Sequence, residues 1–183
     1  MSHIPDKQCT PGVWVQSTIS AYLIFFPLVL IGIISDLWSK KAIFNWLQSQ
    51  PDETFSIIDG FLRLVRAENA GAAFGIAYGQ RYLLIAVSVI ALIIIFAVFF
   101  SKAGTKLVHI SLALLAAGVC GNLYDRIFND GWVRDFIDVI YWPGRHWPAF
   151  NLADSMLCVG VGLLIISSFF TDWSSRIHVQ QQK

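Results

Sequence analysis

Charge disappears from the chain four times, each time for about the width of a membrane. Asp, Glu, Lys and Arg are absent from Gln8 to Ser35, from Tyr82 to Ser101, from Leu107 to Tyr124 and from Ser155 to Thr171. A helix needs roughly 20 apolar residues to cross a bilayer, with about 17 as the lower limit. The pattern therefore predicts spans at about 19–38, 82–101, 107–125 and 152–171. The third and fourth are short, so they are expected to borrow their polar ends, Asp125 and Asp154, from the interface. The first apolar run is too long for the core of a cleavable signal peptide, and no A-x-A-like site follows it. Pro27 inside it is a place for a kink that neighbouring helices can accommodate.

Between the first two spans, at about 52–75, the texture changes to alternation. Thr54–Ile58 and Phe61–Ala67 flank Asp59-Gly60, which predicts a β-hairpin whose turn takes positive φ angles. Phe55, Ile57, Leu62 and Leu64 would share one apolar face. The run Asn69-Ala-Gly-Ala-Ala-Phe-Gly75 suits a close approach of backbones. A second excursion, Asp125 to Phe150, opens on a turn at Asn129-Asp130-Gly131. The fold class is thus an α-helical integral membrane protein, a single membrane domain over residues 1–183 with four transmembrane helices and a small extramembrane β-hairpin. The chain lacks the two similar halves common in transporters.

Composition sharpens this picture. Of 183 residues, 56% are hydrophobic and 14% charged, with a mean hydropathy of +0.61. Soluble domains carry about a quarter charged residues. A net charge of +1 without a basic run argues against nucleic acid as a partner. Cys9, Cys120 and Cys158 are scattered, with no CxxC, so neither a disulfide framework nor a zinc site is expected. Cys120 and Cys158 suit packing as small hydrophobes. No HExxH, GxSxG or phosphate-binding glycine loop occurs, so no metal or cofactor is expected. The histidines at 3, 109, 146 and 178 do not cluster, Ser155 has no obvious histidine partner, and Ser39 and Lys40 point in different directions on a helix. Most of the seven tryptophans flank spans as interfacial anchors.

Four spans put both termini on one side. A raw count of Lys and Arg gives five on that side, including Lys102 and Lys106, and eight on the other. That would place the termini outside. The eight lie mostly in structured excursions, however, and the lysines of the short 101–106 loop are the cleaner signal.

The acids gather opposite the termini. Asp36 and Lys40 end the first span, Asp125 and Arg126 end the third, Asp135 and Asp138 follow, and Asp154 opens the fourth. Ionisable groups at membrane depth are costly and are candidates for function. On the third span Ala113, Ala117 and Gly121 form a small stripe for close packing. Asn122, Asp125 and Arg126 sit within one turn of each other, and a polar anchor for the helix end accounts for them as well as a site would.

If Trp132–Tyr141 is extended, Asp135 shares a face with Val133, Ile137, Val139 and Tyr141. Asp138 shares the other face with Arg134, a ready partner. Asp135 would then be a lone carboxylate among apolar neighbours, with a raised pKa. A solvated loop acid is the plainer alternative. Asn151 could cap the fourth helix with Asp154 at its third position, where the helix field favours an ionised carboxylate. Capping alone explains both residues. A raised Asp135 beside a lowered Asp154 would also suit an aspartic dyad sharing one proton.

Taken in order, five motifs resemble the bacterial lipoprotein signal peptidases, or signal peptidase II. They are Asp36-x-x-Ser39-Lys40, Asn69-x-Gly71-Ala-Ala-Phe74, Gly121-Asn122-x-x-Asp125-Arg126, Asp135-Phe136-x-Asp138 and Phe150-Asn151-x-Ala153-Asp154. The resemblance covers about Asp36 to Phe170 and leaves out the first 18 residues. It implies an aspartic endopeptidase of the bacterial inner membrane that acts on diacylglyceryl-modified prolipoproteins among the membrane lipids. Cleavage would fall just before the lipid-modified cysteine. Asp135 and Asp154 would be catalytic, with Asn69, Gly71, Asn122, Asp125, Arg126 and Asn151 supporting the site or touching substrate. Asp36, Lys40 and Asp138 would be structural. The termini would be cytoplasmic, the site near the periplasmic face, the hairpin a β-cradle on the membrane surface, and the enzyme a monomer without cofactor.

Two departures stand out: Arg134 precedes Asp135 where a hydrophobic residue is common, and Gly75 stands where Ser is frequent. An arginine folded back onto Asp135 would lower its pKa. The residues leave two rivals, an ion-coupled transporter or proton channel with acids as relays, and a scaffold in which acids only pair bases.

Overall fold

The computed structural model describes residues 12–72, 75–101 and 105–180, with side chains over 19–72, 75–101 and 105–169. Phe74 of the Asn69–Gly75 run, Lys102 of the short loop and residues 1–11 lie outside the described residues. The helices are α1 (Gly12–Leu47), α2 (Arg81–Phe100), α3 (Lys106–Phe128) and α4 (Leu152–Gln180). The strands are β1 (Thr54–Ile58), β2 (Leu62–Asn69), β3 (Val133–Trp142) and β4 (Arg145–His146). Among the described residues four helical stretches are long and apolar enough to cross a membrane: Ile19–Leu47, Arg81–Phe100, Lys106–Phe128 and Leu152–Phe169.

Hydropathy decides which helix is central. α2 is the most apolar at 3.3 and turns most of its surface outward, whereas α3 is the least apolar at 1.7 and half buried. In a membrane the outside is hydrocarbon, so the polar and small residues belong inside the bundle. α3 accordingly packs against α1, α2 and α4. Near the terminal side Phe25 of α1 stacks on Phe99 of α2, with ring centroids 4.0 Å apart, over Leu112, Ala113 and Ala116 of α3. Toward the other side Ala117, Ala153 and Met156 join α3 to α4. The small stripe is what permits these distances. A Cβ on Gly32 would come within 2.6 Å of the Ala117 methyl, and one on Gly118 within 2.6 Å of the Ala153 carbonyl oxygen.

The first span does not end at Asp36 and Lys40. α1 continues to Leu47, because both charged side chains are fully buried and paired inside the bundle and mark no interface. α3 likewise runs past Asp125 to Phe128.

The expected hairpin forms and is part of something larger. One antiparallel sheet runs in the order β1-β2-β3-β4, so the second excursion supplies half of its strands. In the hairpin turn only Gly60 takes a positive φ, +72°, with Phe61 N–H donating to the Ile58 carbonyl. That is a turn with glycine third, not one with two positive φ angles. Phe55 pairs with Leu64, but the register shifts at Ile57, and Phe55 and Ile57 are both exposed. β2 then pairs with β3, placing Ala67 opposite Asp135 and Asn69 opposite Val133. The Phe150 backbone closes onto Ile137 through a bridge with bonds of 2.8 and 3.0 Å. That bridge delivers the start of α4 to the middle of β3, and with it Asn151 and Asp154.

Candidate active site

Asp135 stands on β3 with 2% of its surface exposed. It is not the lone carboxylate that alternation suggested. Asn69 donates Nδ2–H to its Oδ2 at 3.2 Å, and Asn151 donates Nδ2–H to its Oδ1 at 2.6 Å. Burial, and next the neighbouring charge of Asp154, still push its pKa up to about 7, against the opposing pull of those two donors and of Lys40.

Asp154 is held by a reciprocal cap. Its backbone N–H donates to Asn151 Oδ1 at 3.0 Å, and its Oδ2 accepts the Asn151 backbone N–H at 3.1 Å. This is the capping-box geometry, with Asn and Asp in place of the usual Ser and Glu. The other oxygen, Oδ1, accepts Nδ2–H of Asn122 from α3 at 2.7 Å. Asn122 Oδ1 in turn accepts from Asn151 Nδ2 at 3.1 Å. A continuous chain of hydrogen bonds therefore runs Asp135–Asn151–Asn122–Asp154, joining β3, α4 and α3.

Both carboxylates open onto one cavity of about 510 Å³, lined also by Asn69, Gly71, Asn122 and Arg126. Val133, Phe150, Leu157, Cys158 and Val159 supply much of its apolar wall. Arg126 is buried, donates to the Gly71 carbonyl at 3.0 Å, and lies in the field of Asp154, Asp135 and Asp125. Asn69 Oδ1 accepts the Gly71 N–H at 2.9 Å, and a Cβ on Gly71 would press on the Gly75 backbone and the Ile76 carbonyl at 3.0–3.2 Å. Glycine at 71 lets this segment fold back over the site.

Beneath the cavity lies a buried ionic group. Lys40 Nζ is 2.8 Å from Asp36 and 3.3 Å from Asp125, with all three side chains fully buried. Asp36 also accepts the Ala153 backbone N–H at 2.8 Å, and a Cβ on Gly121 would strike its carboxylate. Asp125 accepts Arg134 Nη2–H at 2.5 Å and the Arg134 backbone N–H at 3.1 Å. Arg134 therefore does not fold back onto Asp135. Nor does it pair with Asp138, as the shared face suggested. Asp138 takes Arg63 of β2 at 2.6 and 2.9 Å, with His146 of β4 at 3.0 Å. Asp125 claims the guanidinium because its buried carboxylate has few other donors, and cross-strand register puts Arg63 opposite Asp138.

Sequence reasoning missed several residues here. Arg63 and His146 gave no sign of meeting Asp138, since strand register is not written in local spacing. Arg81 at the start of α2 donates to the carbonyls of Arg126 and Ile127 at 2.9 and 2.8 Å, fastening the end of α3 beneath the site. A basic residue free to reach a helix C-terminus was its only signal.

Two hydrogen-bond-linked carboxyls on one open cavity, carried by a four-helix membrane bundle, describe a membrane-embedded peptidase of the aspartic type. The chain belongs to the signal peptidase II family: the family's sequence model, described as signal peptidase (SPase) II, matches residues 28–170. A lipoprotein signal peptidase of Rhodopirellula baltica is 35% identical over 91% of this chain and 81% of its own length. Another, of Geobacter sulfurreducens, is 41% identical over 79% of this chain and 91% of its own. A bacterial membrane enzyme solved by the in meso method at 2.3 Å resolution superposes with a TM-score of 0.72 at 32% identity, over 85% of this chain and 90% of that one.

Proposed function

We propose that this protein is a lipoprotein signal peptidase of a bacterial inner membrane. It cleaves diacylglyceryl-modified prolipoproteins just before the lipid-modified cysteine, with Asp135 and Asp154 as the catalytic pair. The observation that carries this reading is the hydrogen-bond chain from Asp135 through Asn151 and Asn122 to Asp154, facing one cavity. Asp135, with its pKa near 7, is the partner that holds the proton. Asp154, whose two oxygens each accept an N–H, is the base.

In the forward step Asp154 takes a proton from water as the water oxygen bonds to the scissile carbonyl carbon. Asp135 gives its proton to the carbonyl oxygen. Collapse of the tetrahedral intermediate breaks the C–N bond, the amine leaves with the proton held by Asp154, and Asp135 recovers its own from the intermediate hydroxyl. Asn69 and Asn151 hold Asp135, and Arg126 favours negative charge in the cavity. The apolar wall suits a lipid-bearing segment, and a site at the end of the spans gives both hydrocarbon for the acyl chains and access for water. Asp36, Lys40 and Asp138 hold the frame. Every group in this scheme comes from one chain, consistent with a monomer. The termini are cytoplasmic and the site lies toward the periplasm.

The test is cleavage of a diacylglyceryl-modified lipobox peptide by the purified protein in detergent, beside Asp135→Asn and Asp154→Asn. Cleavage before the cysteine by the wild type, lost in both folded variants, is expected. Robust cleavage by either variant would remove that residue from the pair. A folded wild type that leaves the peptide intact would favour a transporter, to be followed by proton flux in vesicles.

A further inference from the structure

Lys40 is a fully buried cation to which the chemistry above gives no part. Its ion pairs alone would suffice for a structural role. Asp36 and Asp125 flank it, and Arg134 balances Asp125, so two anions meet two cations. Yet an ammonium has three donors, and the third does not go to a carboxylate. It goes to Asn122 Oδ1 at 3.0 Å. Asn122 is the residue whose Nδ2–H reaches Asp154.

An asparagine amide has nearly the same shape either way round, so its orientation is set by what bonds to each end. Here Lys40 and Asn151 both donate to Oδ1. With that end claimed by donors, Nδ2 must face Asp154. Were Lys40 unable to donate, one of the two anchors would be gone, and a flipped amide would turn its oxygen on the carboxylate. The Lys40 charge also reaches Asp135, where it opposes the effect of burial.

We propose that Lys40 is a positioning residue for the aspartate pair: its ammonium locks the Asn122 amide that aims Asp154, and its charge tunes the pH range over which the pair shares one proton. This rests on Asp135 and Asp154 being the catalytic pair. The other charged groups around it are Asp36 on its own helix, Asp125 and Arg126 on α3, Arg134 and Asp135 on β3, and Asp154 on α4. From β2, Arg66 lies over the Phe44 ring 5.6 Å away and pairs with Glu53.

The measurement is kcat/KM against pH for the lipobox peptide. Lys40→Met removes both the charge and the donor to Asn122. Without a nearby cation Asp135 holds its proton to higher pH, so the alkaline limb should move up by about one pH unit, with kcat at least about tenfold lower from the loosened amide. A variant that only loses stability would keep the limb where it was. Should Lys40→Met fail to fold, as judged by thermal unfolding in detergent, Lys40→Met combined with Asp36→Asn carries the test, because it removes the ammonium without leaving its counter-ion unpaired. Of these two groups Lys40 is the one whose charge acts on Asp135, so the limb should still move up. An unmoved limb in whichever folded variant is measured overturns the role for Lys40. That result would leave the catalytic pair intact, because the pair stands or falls separately on cleavage by the wild type.

Discussion

At Asp135 a carboxyl is placed where only 2% of the residue meets solvent, and the consequence is measurable away from catalysis. Its pKa rises from 3.8 to about 7, first through burial and then through Asp154. Between about pH 4 and pH 7 the unfolded chain has released this proton and the folded chain has not, so stability falls as pH rises through that window and levels off above it. Asp135→Asn has no proton to lose. Thermal unfolding in detergent should show the variant gaining on the wild type between about pH 4.5 and pH 8, by an amount on the order of 1–3 kcal/mol. A gap that is the same at both pH values would mean that Asp135 is not held protonated. The raised pKa was legible in the sequence, because an acid on an apolar strand face invites it. Its donors were not. Asn69 and Asn151 stand 66 and 16 positions from Asp135. Only the pairing of β2 with β3 and the bridge at Phe150 bring them to it. Arg134 shows the same limit. Alternation offered it Asp138, three-dimensional packing gave it Asp125, and Asp138 was left to Arg63.

Among the elements, α3 shows how a stripe of small residues becomes a device for placing a catalytic group. Ala113, Ala117 and Gly121 were readable as a packing seam from their spacing. What they pack against was not, since nothing local says that α1 and α4 lie on that side. Gly118 marks the tightest approach of α4, where an added Cβ would stand 2.6 Å from the Ala153 carbonyl oxygen and 2.8 Å from Leu157. Ala153 is the residue before Asp154, so any shift there moves the base. Gly118→Ala should cost about 1–3 kcal/mol through overpacking, and kcat should fall with it. Gly162→Ala, one helical face away on α4 with nothing within 4 Å of the new methyl, is the control. It should fold and cleave as the wild type does. Because Ala favours helix over Gly at both positions, equal losses in both would show that the α3–α4 distance is not at issue. The end of α1 is the element the sequence placed least well. Charge at Asp36 and Lys40 looked like an interface, but a buried i, i+4 ion pair bonded to α3 and α4 carries no such meaning.

For the whole molecule, function depends on direction across the membrane. Every polar group of the site lies at the end of the bundle that also bears the sheet, and the end of α2 and the start of α3 lie at the other. The basic residues disagree about which end is cytoplasmic, because most of those on the sheet side are bound within the fold. Arg63 is on Asp138, Arg66 on Glu53, Arg134 on Asp125, and Arg81 on the end of α3. Lysine and arginine set orientation chiefly from short loops, whereas longer excursions cross largely regardless of their charge, so the short-loop lysines should prevail. Cysteine placed at two exposed positions decides it. In a chain whose Cys9, Cys120 and Cys158 have been replaced by serine, Asp59→Cys sits at the hairpin turn and Thr105→Cys at the start of α3. In intact cells with a permeable outer membrane, a charged thiol reagent should label position 59 directly and position 105 only after the inner membrane is opened. The reverse pattern would put the aspartate pair toward the cytoplasm, where a precursor's cleavage site would have to be drawn back through the membrane. Labelling at both positions before opening would mean that the helices between them do not hold the two ends apart.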